Sequence, residues 1–408
     1  MLFCTTALAA CGRGEQPVAA GGPPLGPYRA VLSVAGGDLP FGLELAREGD
    51  ATVAYLINGP ERARVPDVRL DGNELTMRMP GYPHRLEARF VDARFEGSVE
   101  LLRPRGVIKR IRFVAVPGQS YRFFPKPEAG PMDFSGRWAL IFRDDDGHER
   151  AAIAELTQDG HEVAGTVLRS SGDDRYIAGE VRGDTLFLSR FDGGSAYLYL
   201  GRLSPDGTMS GEFFTGGGAH ETWSGRRDPD ARLEDPARMT DLKPGIESLE
   251  FSFPDLDGSL VSYPGERFSG KVVLVTIGGS WCPNCHDEAV FLQRLLASRR
   301  GRGLEVIQLM FEYTPDFASA AETARSFANK FGIDYPVLIA GTTTDDDVLK
   351  KLPQLAALRA YPTLFVIDRM GKVRATHTGF NGPATGAHYE EQNRELAALI
   401  DGLLAERS

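Results

Sequence analysis

The sequence predicts a multidomain protein in which a β-rich N-terminal half, built as antiparallel barrels or sandwiches, precedes a C-terminal α/β domain. Two observations lead to this fold class. Residues 28–227 consist of short alternating apolar runs divided by Gly, Asp and Pro turns, whereas the C-terminal part alternates apolar strands with amphipathic helices. A chain of 408 residues is long enough for two or three such domains.

Changes in composition divide the chain into six segments. They are a signal-like segment at 1–11, a flexible tether at 12–27, a first β-rich repeat at 28–127, a second at 132–227, a linker at 228–245 and the α/β domain at 246–408. Strand and turn runs occur at similar offsets in the two β-rich blocks, so we interpret them as a weak internal duplication. The pattern leaves open whether they form two small barrels or one fused β domain.

The first eleven residues indicate export. Leu2–Ala10 is a short apolar segment, and small residues lead to Cys11, as in a lipoprotein processing box. By this resemblance to a bacterial lipoprotein signal, Cys11 would become the lipidated N-terminus. The segment is short and has no preceding Lys or Arg, and the alternative is an ordinary apolar N-terminus of a cytoplasmic protein. No later segment has the roughly 20 apolar residues that span a bilayer.

Cysteine usage and charge limit the possible partners. If Cys4 leaves with the signal and Cys11 is acylated, only Cys282 and Cys285 remain as thiols, which suits an oxidising compartment. A net charge of −10 without a long basic run argues against a nucleic-acid partner. The histidines of the β half have no metal-ligand spacing, and we interpret residues 144–147 as a polar hairpin turn rather than a calcium loop. No metal site is therefore predicted.

The functional hypothesis depends on residues 272–288. Val272–Ile277 is an apolar, β-branched run typical of a strand buried on both faces. Cys282 and Cys285 follow a glycine-containing turn, and a helical period begins after them. At such a junction the first sulfur lies where free helix N–H groups favour a thiolate, and the second lies one turn on. This arrangement predicts a redox-active dithiol.

At these residues the sequence resembles the TlpA/ResA-like branch of the thioredoxin superfamily, from near Ile246 to the C-terminus. The matching features are Trp281-Cys282-Pro283-Asn284-Cys285, Glu288 and the run 360–368. The resemblance implies a thioredoxin-like fold for 246–408 and thiol–disulfide oxidoreductase activity with no cofactor beyond a redox-active Cys282–Cys285 disulfide. It also implies a cis peptide bond before Pro362.

The resemblance implies roles for the matching residues. Cys282 would be the exposed nucleophile, and Cys285 would resolve the mixed disulfide. Thr276 stands where thioredoxin has a buried aspartate, so Glu288 is the candidate acceptor for the proton of Cys285. The residues expected to shape the site around the two sulfurs are Trp281, Pro283, Asn284, Tyr361 and Pro362.

Other interpretations of the motif are weaker. Residues 282–286 also match the C-x-x-C-H pattern of haem attachment, but they follow a buried strand rather than lying in a helix–loop setting. A zinc site lacks a second ligand pair, and a peroxiredoxin site usually has Thr or Ser where Gly279 stands. We expect His286 to be a helix residue near the site. The glycine-rich residues 379–386 are interpreted as a simple connector, and the alternative is a constrained loop that borders the active site or a partner surface.

The predicted function is that of an exported, membrane-anchored oxidoreductase that reduces protein disulfides with electrons from a membrane donor. Its expected location is the bacterial cell envelope, facing the periplasm, or the soluble periplasm if it is not acylated. The resemblance leaves cytochrome c maturation, copper-site assembly and envelope redox repair open. The alternative is an envelope interaction or scaffold protein whose β half binds a partner, with an auxiliary or inactive thioredoxin-like domain.

Overall fold

The computed structural model describes residues 22–126, 128, 130 and 132–406. Cys4 and Cys11, and with them the predicted signal and lipidation site, lie outside the described residues. The described chain forms two barrel-like antiparallel sheets followed by a thioredoxin-like domain, which confirms the predicted fold class. Across the ranges described, no helix is both long enough and apolar enough to cross a membrane.

The first sheet is a nine-stranded antiparallel meander. Its strands are β1 (Gly26–Val34), β2 (Gly37–Glu48), β3 (Ala51–Asn58), β4 (Glu61–Val65), β5 (Asp67–Asp71), β6 (Glu74–Arg78), β7 (Arg85–Val91), β8 (Arg94–Arg103) and β9 (Val107–Pro117). β1 pairs with both β2 and β9, so the sheet curls around a core that includes Phe41 and Phe113. The predicted Asn-Gly and Asp-Gly turns close two hairpins, with φ of 56° at Gly59 and 57° at Gly72.

The second sheet repeats this connectivity around a core of its own. Its strands are β10 (Gly136–Asp144), β11 (Glu149–Asp159), β12 (Glu162–Arg169), β13 (Gly172–Asp173), β14 (Ile177–Arg182), β15 (Thr185–Phe191), β16 (Ala196–Leu203), β17 (Thr208–Thr215) and β18 (His220–Arg227). β10 pairs with β11 and β18, and β11 also pairs with β12, so this sheet closes into a barrel. Residues 144–147 lie at the β10–β11 hairpin, as predicted.

The two barrel-like sheets pack against each other, and residues of the second sheet contribute to the core of the first. Trp138 and Trp223 lie in the core of the second barrel, whereas Phe191 packs into the core of the first. Arg122, in the connection between the barrels, donates to the carbonyl oxygen of Ser189 at 2.7 Å and to the side chain of Asn58. The two sheets are therefore joined by apolar packing as well as by buried polar contacts.

The C-terminal domain has seven strands. Five of them form a mixed sheet with helices on its faces, and the first two form a hairpin. The strands are β19 (Phe251–Pro254), β20 (Leu260–Tyr263), β21 (Val272–Gly278), β22 (Leu304–Glu312), β23 (Val337–Thr342), β24 (Thr363–Ile367) and β25 (Val373–Thr378), and the helices are α1 (Pro283–Arg299), α2 (Phe317–Phe331), α3 (Asp345–Lys351) and α4 (Ala387–Ala405). β19 and β20 form a separate hairpin, and the sheet order is β23-β22-β21-β24-β25. β21 lies at its centre, so the chain enters α1 from the middle of the sheet.

Two details of this domain differ from the sequence expectation. The apolar pattern of residues 348–358 predicts a helix, but α3 ends at Lys351 because Pro353 has no N–H for a helix hydrogen bond and its ring disfavours the helical conformation before it. The strand β23 was not predicted at all. Its short run, interrupted by Gly341, becomes a strand because it pairs in parallel with the end of β22.

Candidate active site

Cys282 and Cys285 form a disulfide at the start of α1, with Cα atoms 5.3 Å apart. Cys282 is the N-cap residue and Pro283 takes the first helical position, where its missing N–H costs nothing. The N–H of Cys285 points at the Cys282 sulfur at 3.2 Å. The local sequence therefore places the first sulfur at the positive end of the helix, where a thiolate would be stabilised.

Both cysteines are buried: Cys282 is 3% exposed and Cys285 is 2% exposed. The expectation that Cys282 is the exposed sulfur is wrong for this arrangement of the chain. The neighbouring α1 residues Asn284 and His286 contact the two barrels as well as their own domain. The sequence motif alone does not indicate how deeply the two cysteines are buried.

Two of the residues expected to shape the site, Trp281 and Tyr361, contact each other within the domain of the disulfide. Trp281 stacks on Tyr313 with ring centroids 4.8 Å apart and meets Tyr361 edge-on at 5.1 Å. Its indole N–H donates to the carbonyl oxygen of Phe311 at 2.9 Å, which holds the ring in place. The Tyr361–Pro362 peptide bond is cis, as the resemblance implies.

Glu288 lies one turn after Cys285 on α1 and is buried. The hydroxyl of Thr276 donates to its carboxyl group at 2.5 Å. Burial raises the pKa of Glu288 from 4.5 to about 8, because no cation compensates the lost hydration and the Thr276 hydrogen bond only partly opposes the shift. The structure thus joins the residue at the thioredoxin aspartate position to the glutamate that was expected to replace it.

A second buried carboxyl group, that of Glu312, escaped the sequence analysis. It ends β22 and accepts hydrogen bonds from the backbone N–H and the hydroxyl of Ser280, both at 2.8 Å. Burial raises its pKa to about 7. The sequence could have predicted this position. Adjacent parallel strands end at the same edge of a sheet, so an acid at the end of β22 lies beside the turn that follows β21.

His286 is buried among aromatic rings rather than exposed. It stacks on Tyr82 of the first barrel with ring centroids 4.0 Å apart, and its Nε2 lies 2.8 Å from the carbonyl oxygen of Ser280. Burial and then the nearby Lys330 ammonium lower its pKa well below 6.5, so the ring is neutral at neutral pH. Its ring nitrogens face protein groups, so the structure offers no support for the haem interpretation.

The second barrel also reaches the dithiol helix. The amide of Asn284, between the two cysteines, donates to the backbone and side-chain oxygens of Asp173, both at 3.1 Å. Arg175 lies 3.4 Å from the carboxylate of Asp287. Tyr82, Asp173 and Arg175 were all missed, because their sequence shows only turns and strands and nothing local links them to residues more than a hundred positions away.

The loop at 379–382 is part of this site, so its interpretation as a simple connector is wrong. The N–H of Gly379 donates to the carbonyl oxygen of Pro362 at 2.7 Å. The N–H of Gly382 donates to the carboxylate of Asp173 at 2.6 Å. A Cβ on Gly382 would lie 2.5 Å from a carboxylate oxygen of Asp287, which explains why a glycine suits this close approach.

The fold and the disulfide at the start of α1 together define a thioredoxin-like domain. Comparison with known proteins agrees, since the Redoxin family model matches residues 243–392. The C-terminal region of the chain is a TlpA/ResA-like domain of the thioredoxin superfamily.

Three similar proteins illustrate the extent of this match. The chain is 30% identical over 129 residues to the thiol-disulfide oxidoreductase ResA of Bacillus thuringiensis (strain Al Hakam), which covers 32% of this chain and 66% of that protein. It is 24% identical over 140 residues to the thioredoxin-like protein YneN of Bacillus subtilis (strain 168), covering 34% and 73% of the two chains. A solved thioredoxin family protein from Chlorobium tepidum TLS, a thiol:disulfide interchange protein, is 20% identical, with 40% and 99% coverage and a TM-score of 0.30. Each of these three matches covers 40% of this chain or less.

The raised pKa of Glu288 has a measurable consequence for stability. Between pH 4.5 and about 8 the folded protein keeps a proton on this carboxyl group that the unfolded chain has lost, so its contribution to the free energy of unfolding falls as pH rises. Glu288→Gln should remove this part of the pH dependence. Urea unfolding at pH 5, 6, 7 and 8 would measure it, with exposed Glu391→Gln on α4 as the control. Equal slopes for wild type and Glu288→Gln would contradict the raised pKa.

Proposed function

We propose that this protein is a thiol–disulfide oxidoreductase that reduces disulfides of other proteins through Cys282 and Cys285. The observation that carries the proposal is the disulfide at the start of α1, one turn from the buried carboxyl group of Glu288, in a domain that has a cis bond before Pro362. The similarity of the C-terminal region to thiol-disulfide oxidoreductases supports it. The reaction needs no cofactor beyond the cysteine pair.

The reaction begins with the reduced protein. The Cys282 thiolate attacks one sulfur of the partner disulfide, so a Cys282–partner bond forms while the partner's other sulfur leaves as a thiolate. The Cys285 thiolate then attacks the Cys282 sulfur, which restores the Cys282–Cys285 disulfide and releases the second partner thiolate. The partner gains two electrons and, after protonation, two thiols. A dithiol donor must return two electrons to start a new cycle.

Glu288 would handle the proton of Cys285. An unperturbed thiol has a pKa of about 8.5, and the pKa of Glu288 is raised to about 8. A proton passes between groups of nearly equal pKa at little cost in free energy, so Glu288 can take the proton of Cys285 in those molecules in which it is ionised, a fraction that grows as the pH approaches 8. The side chains lie three positions apart on α1 and therefore share one face of the helix.

We further propose that the protein is exported and anchored in the cell envelope through a lipid on Cys11. The short apolar segment and the small residues before that cysteine support the proposal, as does the limited number of cysteines in the chain. The donor that restores the dithiol would then be a membrane protein facing the same compartment. Partner proteins would be those that acquire unwanted disulfides there.

A redox titration of the full chain is the direct test. Equilibration with defined dithiothreitol ratios, followed by trapping of free thiols and mass spectrometry, gives the potential of the Cys282–Cys285 pair. We expect a value near that of thioredoxin, roughly −270 mV, as a reductant requires. A value near roughly −120 mV would make the protein an oxidant and refute the proposed direction. The absence of any reversible transition would favour the scaffold alternative.

A further inference from the structure

One corner of the second barrel runs along the edge of the candidate active site. This corner segment, residues 170–175, contains β13 and connects β12 to β14. Gly172 forms a parallel bridge with Phe380, in the loop beside Pro362. A Cβ on Gly379 would lie 2.7 Å from the backbone carbon of Ser171, so the two backbones are in direct contact. The corner segment therefore binds the loop as an added extended strand would.

The corner segment also contacts the residue between the cysteines. The Asn284 amide donates to two oxygens of Asp173, and one of these oxygens also accepts from the N–H of Gly382. A Cβ on Gly172 would lie 2.7 Å from the side chain of Asn284 and 2.5 Å from the Phe380 carbonyl oxygen. Only a glycine allows this approach, at a φ of 134°. The corner segment thus fits closely between the dithiol turn and the loop.

Two further contacts connect the β half to the residues of α1 that follow Cys285. Arg175 lies within 3.4 Å of carboxylates on all three domains: Asp287 on α1, Glu61 in the first barrel and Asp192 in the second. The ring of Tyr82 in the first barrel covers that of His286. Together with the corner segment, these contacts cover one side of the dithiol helix while both cysteines are nearly inaccessible.

Disulfide exchange requires an attacking sulfur to reach one of these buried sulfurs. We propose that the corner segment is an internal plug of the active site, and that the β half must separate from α1 before a protein partner can exchange with Cys282. The identity of that partner rests on the proposed function, but the plug itself does not. The active form would then be an open arrangement, and the described structure a closed one.

The contacts of the corner segment, Arg175 and Tyr82 with the C-terminal domain form a seam between the β half and the dithiol helix. The chemical nature of these contacts makes separation of the two parts feasible. Much of the seam consists of hydrogen bonds and ion pairs, in particular those of Asp173 and Arg175. Dehydration largely offsets the attraction in a buried ion pair, so such pairs contribute little net free energy, and their charges regain hydration when the seam opens. The barrel cores, by contrast, are apolar and stay intact. A rigid-body opening therefore costs less than unfolding either side.

The test compares how fast dithiothreitol reduces the Cys282–Cys285 disulfide in different full-length variants. Asp173→Ala removes the hydrogen bonds that the Asp173 carboxylate accepts from Asn284 and Gly382, and Tyr82→Ala removes the ring that covers His286. Each is expected to increase the second-order rate constant by about tenfold, because each raises the population of the open form. The matched controls Asp71→Ala and Tyr55→Ala, both in the first barrel and away from the seam, should react like wild type.

If Asp173→Ala and Tyr82→Ala remain folded by circular dichroism and both react within twofold of wild type, the proposal is wrong. If either variant fails to fold, a measurement on the wild-type protein tests the proposal instead. In reduced wild type, Cys282 should react with a 5-kDa polyethylene glycol maleimide at least about a hundredfold more slowly than in 8 M urea, and equal rates at Cys282 would overturn the plug. Failure of the proposed function would be seen in a different measurement, the redox titration, in which the Cys282–Cys285 pair would show no reversible transition.

Discussion

Replacing Cys282 with serine is expected to reduce catalysed disulfide exchange to the background rate. A serine hydroxyl does not ionise at neutral pH and does not attack disulfides, whereas the N-terminal end of α1 favours the thiolate of Cys282. Cys285→Ser should instead accumulate a mixed disulfide between Cys282 and its partner, because nothing remains to resolve it. Reduction of insulin by dithiothreitol, followed by turbidity and non-reducing gels, would measure both outcomes.

The control for this pair is Ser298→Ala, at the exposed end of the same helix. It should retain the full rate, which separates loss of the nucleophile from a general disturbance of α1. A Cys282→Ser variant with wild-type turnover would contradict the assigned nucleophile. If Cys285→Ser were the variant that lost all reactivity while Cys282→Ser trapped the partner, the two roles would have to be exchanged.

Replacing Asp192 with alanine is expected to cost about 3–5 kcal/mol in the free energy of unfolding of the second barrel. Asp192 is buried, pairs with the fully buried Arg190 and lies 3.3 Å from Arg175. Burial opposes its charge, but Arg190 and then Arg175 outweigh this effect and lower its pKa to about 2. Removing the carboxylate leaves Arg190 charged and without its partner in the protein interior, which is far costlier than losing an exposed ion pair.

Urea unfolding followed by tryptophan fluorescence would measure this loss, since Trp138 and Trp223 both lie in the second barrel core. Asp206→Ala provides the comparison, because this aspartate is exposed and lies 3.8 Å from Arg226. Exposed pairs contribute about 0–1 kcal/mol, so the control should unfold almost as wild type does. A loss below about 1 kcal/mol for Asp192→Ala would show that water or other groups solvate Arg190 well.

Much of the C-terminal domain followed from local patterns. The buried run before Cys282, the proline at the first position of α1 and the cis bond before Pro362 belong to short stretches whose residues act on their immediate neighbours. The link between Thr276 and Glu288 could also be anticipated, because a missing acid in one strand directs attention to the next acid on the facing helix. The strand β23 was not predicted, because its short apolar run forms a strand only by pairing with β22.

Local patterns in the sequence are enough to identify a β-rich half, a thioredoxin-like domain and a dithiol at a strand-to-helix junction. The burial of both sulfurs and the contacts of Asp173, Arg175 and Tyr82 with the dithiol helix become visible only in the folded chain. The physical reason is the range of the interactions. Helical and strand periods, capping and turn preferences act over a few residues, whereas burial and ion pairing across domains depend on where the fold brings distant residues together.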